Sequence, residues 1–397
     1  MTRIRKRLAA PAAAIAVAAL LAACSSSSSS SSPAASGSSA APSGSASASA
    51  SSSGSGMAAV EAQVAKFEAE PDHPVPAAPV KGVSALKGKT VYYVPLVQQI
   101  SGFVLTAAAL KTALAKVGMK LQVCNGQAQP SAVAACIGQA TGAGAAGVIL
   151  DSIPYQMAAN AINSATAKGV PVIVSDQLPP TPSTKSTDKL AYALGAPYQP
   201  NDIAYWTIAN SGGKANTIIA ESADSPSSIQ YVVNSEAIYK QYCPGCTVVV
   251  KQISQSAASQ MASDTSSFLL ADPSANYYYT EFEDSLQPAL QGIQTSNRTG
   301  ISLSVAGGSV DGLGLLAKGS GPVKAVVAVD QTYAGWALAD EILRMATGTP
   351  PVSVLYPTRL FTAQNIGSIK VNTTDEASGA WFGSNSYQAA FEKDWGI

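Results

Sequence analysis

Gly147-Val-Ile-Leu-Asp151 and Gly169-Val-Pro-Val-Ile-Val-Ser-Asp176, with the run Tyr155–Lys168 between them, decide the fold. Both quoted stretches are apolar, rich in β-branched residues, and end on an aspartate. They read as strands and the run between them as a helix, which makes a βαβ unit with parallel strands. Strands that are apolar on both faces belong in a sheet covered by helices on both sides.

Outward from this unit the rhythm continues. Upstream, strands over Thr90–Val97 and Met119–Cys124 alternate with helices over Gly102–Val117 and Pro130–Thr141; a short strand Leu190–Leu194 follows downstream. The pattern then restarts with a helix at Asn201–Ser211. Strands Asn216–Glu221, Thr247–Ile253, Asn276–Thr280, Ile301–Ala306 and Val323–Val329 alternate with helices Pro226–Tyr242, Ala257–Leu270, Ser285–Thr295, Val310–Lys318 and Tyr333–Thr347. The expected class is α/β: two doubly wound, Rossmann-like lobes of roughly 130 residues each.

Taken together, these stretches resemble the type I periplasmic binding proteins of the ribose-binding kind, the solute receptors of ABC importers. The likeness rests on Thr90-Val-Tyr-Tyr-Val-Pro-Leu opening a helix at Gly102-Phe103 and on the two stretches quoted first. It also rests on Val326-Val-Ala-Val-Asp330 and on Tyr387-Gln-Ala-Ala-Phe-Glu-Lys-Asp-Trp-Gly396. The resemblance implies a hinge of three crossings near Gly195, Asp330–Gln331 and Tyr356–Phe361. One lobe would then hold residues 87–196 and 331–355, the other 197–330 and 356–397 with the tail. It further implies capture of a small, sugar-like ligand by hinge closure, a membrane permease as partner, and no enzymatic activity. A ligand sensor of the same fold, or a glycoside hydrolase using Glu281 and Asp284, are the alternatives.

Ahead of the folded part lie an address and a tether. Arg3, Arg5, Lys6 and Arg7 precede an apolar run from Leu8 to Ala23, too short for a comfortable span of about 20 residues and laid out like an export signal. Leu21-Ala22-Ala23-Cys24 resembles a bacterial lipobox, which implies cleavage after residue 23, acylation of Cys24, and a lipid anchor on the extracytoplasmic face of the membrane. Residues 25–56 are nearly all Ser, Gly, Ala and Pro, too polar and small to offset chain entropy; the flexible tether is taken to extend over 24–86. Its Ser-rich part has a reach of roughly 30 Å. A short helical pattern spans Met57 to Glu70, and a Pro-rich stretch carries His73, which reads as a solvated linker residue.

Ligands of open α/β sheets bind beyond the carboxyl ends of the strands. The polar residues there are Gln98 and Gln99, Asp151 and Ser152, Asp176 and Gln177, Glu221 and Asp224, Glu281, Glu283 and Asp284, and Asp330 and Gln331. Acidic residues are scarce in this chain, yet many fall at strand ends; capping of the next helix is the competing explanation for any one of them. Through the resemblance, Asp176 matches an acidic sugar ligand, Phe103 an aromatic wall and Asp330 a polar hinge residue. Gln177 stands where ribose binders carry Arg, and Phe282 falls near a usual Asn. The expected ligand-binding set is Gln98, Gln99, Phe103, Asp151, Asp176, Gln177, Glu221, Phe282, Glu283 and Asp330. It is acidic and lacks Arg, so a neutral hydroxyl-rich or a cationic ligand is expected and an anion disfavoured. Tyr277, Tyr278 and Tyr279 offer rings for stacking, although successive strand residues alternate faces.

Composition removes other classes. The chain has 24 Lys+Arg, 24 Asp+Glu and one His in 397 residues, so it lacks the basic surplus of a nucleic-acid binder and the histidines of most metal sites and triads. No cofactor or metal is expected. Cys124 with Cys136, and Cys243 with Cys246, suggest two structural disulfides in an exported protein, free packed thiols being the alternative. Gly142-Ala-Gly144-Ala-Ala-Gly147 matches a dinucleotide fingerprint but precedes its strand, where such a loop must follow one.

Overall fold

The computed structural model describes residues 48–181 and 186–397. The expected leader 1–23, Cys24 and most of the Ser-rich tether lie outside the described residues. Eleven strands are present among the described residues: β1 Thr90–Pro95, β2 Lys120–Val123, β3 Gly147–Asp151, β4 Val172–Ser175, β5 Leu190–Ala193, β6 Asn216–Ser222, β7 Thr247–Ile253, β8 Tyr277–Thr280, β9 Ser302–Ala306, β10 Val323–Val329 and β11 Thr358–Thr362. The helices are α1 Ala48–Glu68, α2 Ser101–Lys116, α3 Pro130–Gly142, α4 Ala159–Ala167, α5 Gln199–Asn210, α6 Pro226–Tyr242, α7 Met261–Ala271, α8 Leu286–Thr295, α9 Val310–Lys318, α10 Gln331–Thr347, α11 Thr373–Ser378 and α12 Tyr387–Asp394. Pro130, Pro200 and Pro226 sit in the first turns of α3, α5 and α6, where the missing N–H costs nothing and the fixed φ suits the helix.

The strands form two sheets. One is all parallel in the order β2-β1-β3-β4-β5; the other runs β11-β10-β9-β8-β6-β7, parallel except for β10 against β11. Counting β6 as a first strand, the second sheet repeats the order of the first and adds β11 at its edge. In this order the strand sequence reverses between β1 and β3, and again between β6 and β8, and at such reversals the loops diverge and leave a crevice. The two lobes expected from the sequence are therefore present.

Each sheet is covered on both faces. In the first lobe, Val91, Tyr93 and Ile149 face α2 and α10, while Val94, Val148 and Leu150 face α3 and α4. In the second, Ile218, Tyr278 and Leu303 face α7 and α8, while Ile219, Tyr277 and Tyr279 face α5 and α6. The three consecutive tyrosines thus alternate faces, and all three are buried. They are core residues, and the expectation of stacking rings in a cleft is corrected.

Three departures concern the ends of the chain. Residues 57–86 are not a loose tether. Met57, Val60, Val64 and Phe67, spaced 3, 4 and 3 apart, give α1 one apolar stripe that packs on α5, α6 and β11. His73 is not solvated: its side chain is 10% exposed and its Nε2 lies 2.9 Å from Asp330 Oδ2. Its ring stacks on Tyr387 at 4.8 Å. Finally, residues 356–397 do not all belong with the second lobe. Trp381 and Phe382 pack there, but Tyr387, Phe391 and Trp395 of the closing segment join the first lobe's core beside Trp336. The lobes are therefore linked near Gly383–Ser386 and near 69–80, in addition to the three expected crossings.

Both disulfides form, Cys124–Cys136 and Cys243–Cys246. Among the described residues no helix is long and apolar enough to cross a membrane, and no group of His, Cys, Asp or Glu is placed to hold a metal ion.

Candidate functional site

The first lobe's crevice is built from strand register. Tyr93 pairs with Ile149, so Asp151, two residues further on, shares its face, and the Tyr93 hydroxyl donates to Asp151 Oδ2 at 2.5 Å. Ser175 is Asp151's partner on β4, and its hydroxyl meets that of Tyr356 at 2.9 Å. Burial pushes the Asp151 carboxyl up to about 7, with the charge of Asp176 adding to the effect and the bonds from Tyr93 and Ser175 opposing it.

Asp176 follows β4 with φ 58°, and Ser152 follows β3 with φ 56°. Left-handed backbone at non-glycine residues is sparsely populated and concentrates where side chains must be aimed. Ser152 Oγ donates to Asp176 Oδ2 at 3.3 Å, and the Ala196 amide to Oδ1 at 3.4 Å. Gly195, at φ 66°, lets the carboxylate approach: a Cβ there would stand 1.9 Å from Asp176 Oδ1. Burial raises the Asp176 carboxyl too.

The second lobe repeats the device at the β6/β8 reversal. Glu221 pairs with Gln252 across β6 and β7 and accepts from its Nε2 at 3.3 Å. Glu281, next after β8, accepts from the Ser222 amide at 2.6 Å. Burial pushes Glu281 up to about 8, and the neighbouring Glu221 charge adds to this. Each lobe therefore presents a pair of carboxyls at the ends of neighbouring strands, Asp151 and Asp176 at β3 and β4, Glu221 and Glu281 at β6 and β8, and burial lifts Asp151 to about 7 and Glu281 to about 8.

The lobes touch between these pairs. Gln177, after β4, accepts at Oε1 from Ser227 Oγ at 2.9 Å, and the same Ser227 oxygen accepts from the Leu178 amide at 2.9 Å. Ser227 lies in the first turn of α6, and both side chains are buried.

The other expected residues are less closely gathered. Gln98 and Gln99 are exposed, and Gln98 is held through its amide by Asn125. Phe103, in the first turn of α2, is partly exposed beside Gly102, against which Gln331 packs. Phe282 is 38% exposed. Glu283 accepts from the Gly312 amide at 2.7 Å in the first turn of α9, so that oxygen is spent on a helix terminus. Asp330 is fully buried. Its Oδ1 accepts from Tyr333 N at 2.9 Å, which caps α10, and its Oδ2 faces His73. It acts as a hinge fastening, since both its oxygens are engaged within the chain. Glu281 is buried whereas Asp284 is exposed.

Sequence reading missed Tyr93, Ser175, Ser227 and Tyr356. Ser227 carries a signal in Ser225-Pro-Ser-Ser228, a helix start just after a strand end. Tyr356 sits in an irregular segment and carries none.

A family model described as "Periplasmic binding protein domain" matches residues 91–350. The chain belongs to this family, whose members are extracytoplasmic binding proteins and not enzymes. No curated protein sequence matches the chain. Among solved structures, a sugar ABC transporter protein from Yersinia enterocolitica is similar at 18% identity with a TM-score of 0.65, covering 81% of this chain and 99% of that one. A 5-methylthioribose transporter solute-binding protein from Thermotoga lettingae matches at 15% identity and 0.65, covering 77% and 98%. The Caulobacter myo-inositol binding protein matches at 19% and 0.61, covering 74% and 98%. These likenesses show the fold. Residues before 91 and after 350 lie outside the family match.

Proposed function

We propose that the chain is the solute-binding component of an ABC importer, held outside the cell by lipid on Cys24 through residues 25–56. It captures a small neutral, hydroxyl-rich ligand of the sugar or polyol kind, or a cationic one. The similar structures, a 5-methylthioribose transporter protein and a myo-inositol binding protein among them, support the ligand class. The observation that carries the reading is the carboxyl pair at neighbouring strand ends in each lobe, with no Arg or Lys among the strand-end residues.

The chemistry follows from burial. A carboxyl titrating near 7 or 8 is available both as a donor and as an acceptor at neutral pH, which suits hydroxyl groups. Once ionised, the same groups suit an ammonium. Neither state welcomes a phosphate or a second carboxylate in a low-dielectric crevice. Asp151 and Asp176 would hold the ligand from the first lobe, Glu221 and Glu281 from the second. Phe103 and Phe282 would supply apolar surface, while Gln98 and Gln99 stand at the rim. A ligand that engages both pairs favours the closed arrangement by its differential affinity for it.

A thermal-shift screen followed by calorimetric titration tests this. Neutral sugars, polyols or amines should raise the melting temperature and titrate at one site per chain. Stoichiometric binding of sugar acids or sugar phosphates alone would overturn the reading.

A further inference from the structure

We infer that the segment from α1 to Val83, a chain connection across the hinge beyond the three crossings and the link at Gly383–Ser386, is a strap that limits how far the two lobes can swing. It lies outside the segment shared with the family, and it touches both lobes through specific contacts. At one end α1 is docked on the second lobe. Its last carbonyl, Glu68 O, accepts from Arg359 Nε and from Asn365 Nδ2, each at 3.0 Å, and the Glu68 carboxylate accepts from Thr362 Oγ1 at 2.5 Å. Helix termini leave their final carbonyls without intrahelical partners, and here β11 and the turn after it supply the donors.

At the other end the strap is built into the first lobe. Val80 donates its amide to Asp394 O at 2.8 Å, and Val80, Val83 and Leu86 are members of the first lobe's core. Between these ends the chain runs without helix or strand and carries Pro71, Pro74, Pro76 and Pro79 in the nine residues 71–79. Such a stretch is stiff and transmits tension.

The middle of the strap is pinned at the hinge itself. Asp330 separates β10 of the second lobe from α10, which packs on the first, and its amide bonds Pro357 O at the neighbouring crossing. His73 faces the Asp330 carboxylate, and its ring lies against Tyr387 and Tyr333. The Tyr333 hydroxyl also donates to Pro74 O. Any swing of the lobes that changes the backbone at Asp330 must therefore move His73, or break its contacts. A depression of about 500 Å³, lined by Glu70, His73, Phe382, Ser384 and Tyr387 among others, lies open beside the pin. The strap is thus fastened at points, with room alongside it to move.

The test needs no ligand, so it is independent of what the cleft binds. A fluorophore pair is placed through unnatural amino acids at Ser131 and Gln230, exposed positions near the starts of α3 and α6 on opposite lobes. A specific protease site is inserted between the exposed Ala77 and Ala78, so that the same folded protein is read before and after the strap is cut. Single-molecule energy transfer should show a narrow distribution of inter-lobe distances in the intact chain. Cutting, and His73→Ala, should each broaden it, and together they should broaden it about twofold, as expected when a hinge loses a restraint. An unchanged distribution in the cut His73→Ala protein, with circular dichroism still native, would overturn the inference. If that doubly altered protein unfolds, the uncut His73→Gln variant carries the reading: broadening supports the strap, and a wild-type distribution refutes it.

Discussion

Asp151 and Glu281 stand at corresponding strand ends of the two lobes, and burial raises both carboxyls, Asp151 to about 7 and Glu281 to about 8. The sign of the resulting pH dependence is determined. A carboxyl whose folded value exceeds its unfolded value keeps its proton longer in the folded state. The folded state is then favoured at low pH, and stability falls as pH rises through the window between the two values. For these residues that window runs from about pH 4 to about pH 8. Denaturant titrations of the ligand-free protein should show stability declining across it, by at most about 1.4 kcal/mol per pH unit per group. Asp151→Asn and Glu281→Gln should each flatten the decline, and a slope identical to wild type in both variants would show that these groups are not the source. At this scale the sequence was informative about which acids sit at strand ends and silent about their protonation. That depends first on burial, which raises both groups, and then on bonds from Tyr93 and Ser222 that oppose it, all set by register and folding.

Among the elements, the strands were the easiest to foresee. Val148, Ile149 and Leu150 are all buried because β3 lies inside a sheet covered on both faces, and such a strand must be apolar throughout. The second lobe's helix expected at Ala257 begins later, at Met261. A 3-10 turn over Gln255–Gln260 precedes it, with Ala257 outside helical backbone angles; nothing in that Ser- and Ala-rich run marks the boundary. The strap was hidden for another reason. A proline-rich stretch has no periodicity, and His73 finds its partner Asp330 at a separation of 257 residues, a pairing no local pattern encodes. The disulfide Cys124–Cys136 belongs to this scale as well, tying the loop after β2 to α3. Removing it by a Cys124→Ser, Cys136→Ser double change should cost about 3 kcal/mol in the chain-entropy view. Denaturant midpoints measure this, and a loss near zero would mean that the loop is held by its other contacts alone.

For the molecule as a whole, the lobes share more than a hinge. The first lobe's core includes residues of α10 and α12, which are reached only after the chain has passed through the second lobe. The chain before β1 likewise docks on the second lobe before it enters the first. Neither half can unfold without disturbing segments that complete the other. Differential scanning calorimetry should therefore show one cooperative transition, with equal calorimetric and van't Hoff enthalpies. Two resolved transitions would mean that the lobes are independent.

The docking of α1 also determines where an external load enters. A tug on the chain upstream arrives first at α5 and α6, on which Met57 and Val60 pack, and reaches Arg359, Thr362 and Asn365 only at the far end of α1. The second lobe bears that force directly, and the first receives only what the prolines of residues 71–79 pass along.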